Sequence, residues 1–378
     1  MAYDIFVLAG EFSGDLLGKH LLQSLYKLDP NLKVEGVGGP RMRALGMQPL
    51  IAMEEFNVMG FVDPLIHLPK LIRYYKIIKR EILNSKPKAV VCIDFPEFNL
   101  CLSRALHKSN SKSKRIQYVC PSVSVWRKQR IPKMEKSLDQ LLTIFPFEPN
   151  LFRQDLLDVL YVGHPLIARV KSYSYEKYWK EAYNISDAQQ ILSIFPGSRK
   201  REILYNLPLQ LHAAKRLCKK NPNLLIAISC SSEKFFPIIK SFAQNIPIID
   251  SKHTYELMLS SYASIATSGT ITLELALHHI PTIATYFFSA IETFIARKLL
   301  RIDLPYYVLP NIIGEREIFP ELIGPNLTKD ALYERGEEFL FDPHRRINCV
   351  ENCQKLRKIL GEKDASIEAA HAILRLIS

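Results

Sequence analysis

The chain of 378 residues is 48% hydrophobic and 23% charged, which is typical of globular proteins and long enough for two domains. No apolar run approaches the ~18 residues that a membrane-spanning helix needs, and no basic segment precedes the first apolar run. We therefore expect neither a membrane span nor a secretion signal. The seven cysteines lack C-x-x-C spacing, which favours free thiols in a reducing cytoplasm over a metal site or disulfides.

The net charge of +12 arises from one segment of the chain. Between Ile66 and Lys136 there are 17 Lys and Arg residues against four Asp and Glu residues. Clustered positive charge attracts phosphates, nucleic acid or anionic lipid, although a solvated surface can also carry it. We therefore predict an anionic partner for this segment.

The candidate strands are short apolar runs separated by stretches of helical period. They form two sets, divided by a break at Ile167–Ser186. Apolar strands that alternate with helices are typical of parallel sheets covered on both faces, so the pattern predicts two doubly wound α/β domains in tandem. The predicted strands are Asp4–Ala9, Lys33–Val37, Ala89–Asp94, Arg115–Val119, Leu141–Phe145, Leu160–Val162, Gln190–Phe195, Leu224–Ser229, Pro247–Asp250, Ser264–Thr267 and Thr282–Tyr286.

The turn after the first strand, Gly10-Glu11-Phe12-Ser13-Gly14-Asp15, carries glycines and carboxylates. In open α/β sheets, ligands bind beyond the carboxyl ends of the strands. Ser13 or Asp15 can cap the following helix, whereas Glu11 is a candidate for binding a sugar hydroxyl. The turn is not G-x-G-x-x-G, so a dinucleotide fingerprint is absent.

Asp94 ends a later apolar strand of the same domain. A carboxylate at this position can act as a general base on a hydroxyl nucleophile. It can equally be an N-cap or a turn residue, and its position alone leaves both roles open.

In the second domain, a strand runs into the glycine turn Pro196-Gly197-Ser198-Arg199 and then into a helix. A helix N-terminus offers free N–H groups and a partial positive charge, and an arginine can add a bidentate contact to a phosphate. The turn predicts an anion site, against the alternative of a surface turn beside a basic helix.

A second turn of this kind opens the helix after strand 264–267. Ser268, Gly269, Thr270 and Thr272 supply hydroxyl and amide groups, and Glu274 follows about one turn later. The first group can donate hydrogen bonds to a diphosphate. Glu274 can hold ribose hydroxyls or be a solvated helix residue. Two such anion sites in one domain predict a nucleotide diphosphate as the ligand.

The basic segment contains a predicted amphipathic helix at Leu68–Arg80, preceded by the apolar Met59-Gly60-Phe61-Val62. Most helices with this pattern face a protein core. Basic amphipathic helices also lie on anionic lipid, so this segment is a candidate membrane surface. The residues assigned to that surface are Met59, Phe61, Val62, Leu71, Ile72, Arg73 and Lys76.

His164, in Val162-Gly163-His164-Pro165, is a lone histidine, for which a structural role is the expectation. No spacing of histidines and carboxylates suggests a set of metal ligands, so we expect no metal and no cofactor.

Taken together, these residues resemble the lipid-A-disaccharide synthase family. Each matching motif is weak alone, but the set follows the family order over nearly the whole chain and is highly specific. The motifs are Ala9-Gly10-Glu11, Ser13-Gly14-Asp15, Gly38-Gly39-Pro40-Arg41-Met42, Met59-Gly60, Ile93-Asp94, Asn99-Leu100, Pro121-Ser122-Val123, Trp126-Arg127, Phe145-Pro146-Phe147-Glu148, Val162-Gly163-His164-Pro165-Leu166, Pro196-Gly197-Ser198-Arg199, Ser268-Gly269-Thr270 and Pro320-Glu321-Leu322. The chain departs from the family pattern at Ser124 and Gly324, which concerns local acceptor or subunit contacts.

The resemblance implies a GT-B fold, in which two Rossmann-like doubly wound domains face a cleft. Residues 1–170 would bind the acceptor and carry the membrane surface, and residues 171–345 would bind the UDP-sugar. Helices in 346–378 would pack back on the N-terminal domain. A metal-free, peripheral protein on the cytoplasmic face of the Gram-negative inner membrane is also implied, and a homodimer is a further family expectation.

The implied reaction is an inverting transfer of 2,3-diacylglucosamine from UDP-2,3-diacylglucosamine to 2,3-diacylglucosamine 1-phosphate. The products are a β-1,6-linked disaccharide and UDP. Asp94 would accept the proton of the acceptor 6-hydroxyl, with Glu11 nearby. The residues assigned to UDP are Gly197, Ser198, Arg199, Ser268, Gly269, Thr270, Thr272, Glu274 and Asn311.

Two other functions stay open at the level of sequence. Another UDP-sugar-dependent GT-B transferase or an epimerase would share the second domain's site but not the ordered motifs of the first. A nucleic-acid-binding protein would use the basic segment. We expect no nucleic-acid partner, because no such module is recognised and the charge lies beside apolar residues more than beside stacking aromatics.

Overall fold

The computed structural model describes residues 3–57, 64–121, 123, 128–243, 245–288 and 305–378. The chain divides into two compact units, one formed by Met1–Ala168 with Glu362–Ser378 and the other by Arg169–Gly361. Each unit is built on one parallel β-sheet with helices between its strands. The prediction of two doubly wound α/β domains is confirmed.

The first unit is built on a seven-stranded sheet. Its strands are β1 Ile5–Ala9, β2 Val34–Gly38, β3 Gln48–Ala52, β4 Ala89–Ile93, β5 Lys114–Tyr118, β6 Gln140–Thr143 and β7 Asp158–Tyr161. Their spatial order is β3-β2-β1-β4-β5-β6-β7. The helices are α1 Phe12–Leu28, α2 Pro40–Arg43, α3 Glu54–Asn57, α4 Pro64–Ser85, α5 Pro96–Lys108 and α6 Ile131–Ser137, and the chain enters the second unit within α7, Pro165–Lys171.

The central strands of this sheet are apolar throughout because both faces are covered. Every residue of β1 and β4 is buried. Successive side chains of a strand point to opposite faces, so Ile5, Val7 and Ala9 join a cluster with residues of α1, while Phe6 and Leu8 pack with residues of α4 and α5. Burial on both sides removes the alternation of polar and apolar residues that a half-exposed strand would show.

The second unit is built on a six-stranded sheet. Its strands are β8 Gln190–Phe195, β9 Leu224–Ser229, β10 Ile248–Ile249, β11 Ser261–Thr267, β12 Thr282–Tyr286 and β13 Glu321–Ile323. Their order is β10-β9-β8-β11-β12-β13. The helices are α8 Lys200–Lys220, α9 Phe236–Phe242, α10 Thr254–Leu259, α11 Thr270–Leu277, α12 Leu309–Gly314, α13 Lys329–Phe341 and α14 Pro343–Leu360.

The chain ends in helix α15, Ala365–Ile377, which packs against α1 of the first unit and buries Ala369, Ala370 and Ile373 there. The structure differs from the sequence-based expectation for residues 346–361, which belong to the second unit. Helix α14 packs on α11 and α12, and the Cys349 Sγ donates to the Ile318 carbonyl at 3.4 Å. The helix belongs to the second unit because its buried side chains pack against the helices of that unit.

Both sheets reverse their strand order at one point. In the first unit the reversal lies between β1 and β4, and in the second it lies between β8 and β11. At such a switch point, the connections of the two neighbouring strands leave in opposite directions and open a crevice beyond the strand ends. These two strand ends are therefore the places at which each unit is expected to bind a ligand.

All seven cysteines are free, in agreement with the expectation from their spacing. Among the helices in the described ranges, none combines the length and the apolar character that crossing a bilayer requires.

Candidate functional site

The first candidate site lies where β1 and β4 end. Glu11 directly precedes α1, and Asp94 follows β4, which pairs with β1 up to Ala9 and Ile93. Ser13 Oγ donates a hydrogen bond to Asp94 Oδ2 at 3.3 Å. Burial raises the pKa of the Glu11 carboxyl, and the negative charge of Asp94 raises it further. The structure thus brings the two predicted catalytic carboxylates to one switch point.

A left-handed backbone turn holds Asp94 in place. Asp94 and Phe95 have φ angles of 51° and 46°, a region in which non-glycine residues are uncommon. The Asp94 carbonyl accepts hydrogen bonds from Asn99 Nδ2 at 2.6 Å and Gln117 Nε2 at 3.1 Å. Backbone strain of this kind persists where the surroundings enforce it, and it is concentrated at functional sites. The Asp94 backbone is therefore fixed at the carboxyl end of β4.

Ser13 and Asp15 do not cap α1, contrary to the sequence-based expectation. The buried Asp15 carboxylate accepts hydrogen bonds from the N–H groups of Arg41 and Met42, both at 3.2 Å, and so caps α2. A Cβ at Gly39 would lie 2.5 Å from Asp15 Cγ, which explains the glycine at this position. The Gly39-Pro40 motif and Asp15 thus form one structural contact that positions the end of β2.

The second candidate site is a cavity of about 340 Å³ where β8 and β11 end. Gly197 has a φ angle of 120°, a left-handed backbone that favours glycine. A Cβ at Gly269 would meet no heavy atom within 4 Å, so the space beside that turn is open. Both predicted turns contribute to the lining, which includes Gly197, Ser198, Arg199, Ser268, Gly269 and Thr270.

Two serines of the cavity lining were missed by sequence reasoning. Ser229 ends β9, and Ser231 Oγ donates to the Gly197 carbonyl at 3.3 Å. The sheet order brings β9 beside β8, so its carboxyl end borders the same crevice. The rule that ligands bind beyond strand ends, applied to β9, would have identified them.

Glu202 is the largest departure from the predicted anion site. One carboxylate oxygen, Oε2, accepts from the N–H groups of Ser198 at 2.9 Å and Arg199 at 3.2 Å. The other oxygen, Oε1, lies 2.9 Å from Arg199 Nη1. The donors that the sequence assigns to a phosphate already hold the carboxylate of Glu202, which accepts from the N-cap N–H at the Arg199-x-x-Glu202 spacing and so makes one half of a capping box. This spacing is visible in the sequence and could have signalled the contact.

Thr272 and Asn311, which the sequence assigns to UDP, make hydrogen bonds within the protein. Both are fully buried and lie outside the cavity lining. Thr272 Oγ1 donates to the Gly269 carbonyl at 2.8 Å. The Asn311 side chain donates to Phe319 O and Glu321 Oε1 and accepts from the N–H groups of Ile318 and Phe319. Their predicted contacts with UDP stay predictions.

Glu274 also lies outside the cavity lining, on α11. Its Oε1 accepts from the Tyr255 hydroxyl at 2.7 Å and lies 3.7 Å from Arg169 Nη1. Burial raises the pKa of the Glu274 carboxyl, while the Tyr255 hydrogen bond opposes that rise. The predicted contact of Glu274 with ribose stays a prediction.

His164 is buried, and its Nδ1 accepts from the Leu166 N–H at 3.2 Å. Burial lowers its pKa to about 4, so the ring is neutral at physiological pH. This environment agrees with the structural role expected from the sequence. Within the part of the chain that the structure describes, no group of three or more His, Cys, Asp or Glu side chains is placed to share a metal ion.

Helix α4 has a core face and an exposed face. Ile78 and Ile82 are fully buried, and Leu71 packs against the same cluster. Ile72 is 45% exposed, and Arg73 and Lys76, which follow it on the same helix, are exposed as well. The core-facing alternative therefore holds for one face, whereas the outer face keeps the mixed apolar and basic character of the predicted membrane surface. Met59, Phe61 and Val62 lie outside the described residues, as do Ser124 and the Trp126-Arg127 motif.

Comparison with known proteins identifies the family. A model of the lipid-A-disaccharide synthetase family matches residues 5–374. The chain belongs to this family. It is 40% identical over 372 residues to the lipid-A-disaccharide synthase of Chlamydia trachomatis serovar D, which covers 97% of this chain and 59% of that protein. The match to the Chromobacterium violaceum lipid-A-disaccharide synthase is 31% identical over 381 residues and covers 99% of this chain and 97% of that protein.

The chain thus spans between 51% and 59% of the length of the chlamydial relatives that it matches. Solved structures share the fold at low sequence identity. The kitacinnamycin glycotransferase aligns with a TM-score of 0.65 at 11% identity, over 100% of both chains. The UDP-GlcNAc 2-epimerase of Neisseria meningitidis, solved with UDP-GlcNAc bound, aligns with a TM-score of 0.62 at 13% identity, over 99% of both chains. The family member described here therefore has the GT-B fold predicted from its sequence.

Proposed function

We propose that this chain is a lipid-A-disaccharide synthase, which transfers 2,3-diacylglucosamine from UDP-2,3-diacylglucosamine to 2,3-diacylglucosamine 1-phosphate. The observation that carries the proposal is the set of functional groups that lies at each of the two switch points. The first holds a pair of carboxylates, one of which, Asp94, lies on strained backbone, and the second holds a cavity lined by amides, hydroxyls and an arginine. A base and a diphosphate site are the two components that metal-free sugar transfer from a nucleotide needs.

The second unit binds the UDP diphosphate in this proposal. The N–H groups of Ser198 and Arg199 donate to the Glu202 carboxylate, which supports the binding of an anion at this turn. A diphosphate in the cavity takes over these donors and adds contacts from Ser268 and Thr270. Fixed donors stabilise the charge that grows on the leaving oxygen as the glycosidic bond breaks, and they need no reorganisation during the reaction.

The first unit supplies the base. The acceptor 6-hydroxyl oxygen attacks the donor anomeric carbon from the face opposite UDP, while Asp94 takes the hydroxyl proton. The bond between that carbon and the phosphate oxygen breaks, and UDP leaves with the bonding electrons. One displacement inverts the anomeric centre and gives the β-1,6 linkage, so no covalent enzyme intermediate forms. Ser13, bonded to Asp94 Oδ2, orients the carboxylate.

In this proposal, the outer face of α4 binds the cytoplasmic leaflet of the inner membrane, where the acylated substrates lie. Ile72 is 45% exposed and lies among cations, an arrangement suited to anionic lipid. Co-sedimentation with phosphatidylglycerol vesicles should fall in Ile72→Ser. Ile359→Ser is a matched control, because Ile359 is also 45% exposed but lies on α14 of the second unit. Equal binding by both variants would contradict the membrane role.

The reaction itself is tested by mass spectrometry. The full chain is incubated with UDP-2,3-diacylglucosamine and 2,3-diacylglucosamine 1-phosphate, and the expected product is the disaccharide 1-phosphate together with UDP. Omitting the acceptor provides the control. An epimerised UDP-sugar in that control, with no disaccharide in the complete mixture, would show an epimerase in place of a transferase.

A further inference from the structure

A second polar cavity lies in the first unit, between α5 and α6. Its volume is about 360 Å³, and its lining includes Glu97, Arg104, Arg130, Lys133 and Ser137. None of these residues belongs to the carboxylate pair at the switch point. The cavity therefore needs a separate explanation.

The charge of the lining is strongly positive. Three cations face a single carboxylate, and that carboxylate belongs to Glu97, whose side chain is 72% exposed. Arg130, only 12% exposed, forms an ion pair with Glu97 that holds its guanidinium at the cavity wall. Because arginine has five N–H donors, Arg130 can keep this partner and still donate into the cavity.

The other two cations are placed differently. Arg104 is anchored by hydrogen bonds from Nε to Leu100 O at 3.2 Å and from Nη2 to Cys101 Sγ at 3.0 Å. These bonds leave its charge without a carboxylate partner among the described residues. Lys133 is exposed on α6 and likewise makes no ion pair with any residue in the described ranges. Two positive charges at the cavity are thus not neutralised by the surrounding protein.

The excess of about two positive charges matches one group in particular. A phosphate monoester carries about −1.5 to −2 at neutral pH and presents three acceptor oxygens, which guanidinium groups bind well. Cavities of roughly 300–1,000 Å³ are typical of small-molecule sites, so this one has room for a phosphate together with part of a sugar ring.

We propose that this cavity binds a phosphate monoester. The identity of this monoester rests on the proposed function: it is the 1-phosphate of the acceptor sugar. Helix α5 begins two residues after Asp94 and carries Glu97 in its first turn and Arg104 near its end. One rigid helix thus connects the base to the cavity wall. A phosphate bound there anchors the acceptor to the element that positions Asp94.

The test is direct binding of glucosamine 1-phosphate to the full chain, followed by ³¹P NMR. Lys133→Gln removes one cation from the cavity. Lys136→Gln is the matched control, since Lys136 is an exposed lysine on the same helix and does not line the cavity. We expect the affinity for glucosamine 1-phosphate to fall at least fivefold in Lys133→Gln and to stay within twofold of wild type in Lys136→Gln. Equal effects in the two variants would overturn the proposal.

A second experiment with lipid vesicles distinguishes two sources of the phosphate, a sugar phosphate and a lipid headgroup. Phosphatidic acid in phosphatidylcholine vesicles presents the same monoester as a lipid headgroup. Loss of vesicle binding in Lys133→Gln alone, with no glucosamine 1-phosphate binding by wild type, would keep the phosphate site and overturn its assignment to the acceptor. Because binding is measured without turnover, a Lys133-specific loss in a chain that forms no disaccharide would reject the proposed function and retain the cavity.

Discussion

The two switch points occupy the same place in their sheets but present opposite chemistry. Between β1 and β4, the site is built from the carboxylates of Glu11 and Asp94, and Asp94 lies on left-handed backbone. Between β8 and β11, it is built mostly from backbone N–H groups, hydroxyls and one arginine around an open cavity. The first can accept a proton, and the second can hold an anion. The shared topology decides where each unit binds a ligand, and the residues after the strands decide what it does there.

The comparison also shows how differently the two sites are held. Asp94 is fixed by hydrogen bonds to its own carbonyl from Asn99 and Gln117. The donors of the anion site already have an internal partner, since the N–H groups of Ser198 and Arg199 donate to the Glu202 carboxylate. We infer that the base is ready before substrate binds, whereas the diphosphate site must exchange one anion for another.

Changing Asp94 to Asn should have the largest effect. A positioned general base contributes about 10²–10⁴-fold to a rate, so turnover should fall by that order while UDP affinity stays near wild type. Steady-state disaccharide formation and UDP calorimetry on the same preparation make the measurement. Ser13→Ala, which removes only the hydroxyl bonded to Asp94, should lose far less. Near-normal turnover in Asp94→Asn would show that Asp94 is not the general base.

Changing Arg199 to Ala should weaken UDP binding by about tenfold, because a hydrogen bond to a charged group contributes about 1.5–3 kcal/mol and Glu202 already offsets part of it. Calorimetric titration with UDP gives the affinity. Arg201→Ala is the control, since Arg201 lies in the same turn of α8 and does not line the cavity. If both variants bind UDP equally, the phosphate role of Arg199 is rejected.

Changing Glu202 to Gln should tighten UDP binding by about threefold to tenfold. The substitution preserves the shape of the side chain and removes the negative charge that competes with the diphosphate. The same titration measures it, at two salt concentrations, because the gain should shrink as salt screens the charge. Weaker binding would show that Glu202 instead holds the turn and Arg199 in the competent conformation.

The smallest expected effect is on the ionisation of Glu11. Its pKa is raised first by burial and then by the charge of Asp94. Replacing Asp94 by Asn removes only the second cause, so the Glu11 pKa should fall and its carboxyl should lose its proton at lower pH. Carbon-13 NMR of labelled glutamate follows this titration. An unchanged pKa would mean that the two carboxylates act independently in solution.

The central strands could be predicted because their burial leaves a continuous apolar run, as in Ile5–Ala9. The two strands that were missed, β3 and β13, lie at sheet edges. β3 contains Pro49 and is only partly buried, and β13 has three residues. Edge strands need little hydrophobicity and tolerate proline, so they leave a weak signal in sequence.

The anion site was predictable because its turns are local in sequence, whereas contacts between distant segments were not. Asp15 caps α2, and Asn311 donates to Glu321 of β13; neither pairing has a local pattern. Glu202 was missed for another reason. Its spacing from the N-cap Arg199 is local, but a glutamate in the first turn of a basic helix carries no sign in the sequence that it occupies the neighbouring anion site.

Hydrogen exchange in the presence of UDP tests most directly whether the switch point of the second unit, and not that of the first, binds the nucleotide. The full chain is exchanged with and without UDP, and protection is read by mass spectrometry for peptides that cover both sites. With UDP, we expect slower exchange at the cavity of the second unit, in residues 196–202 and 268–272. We expect no change at the carboxylate site, in residues 10–15 and 93–99. Protection at the carboxylate site, with none at the cavity in the second unit, would contradict these expectations.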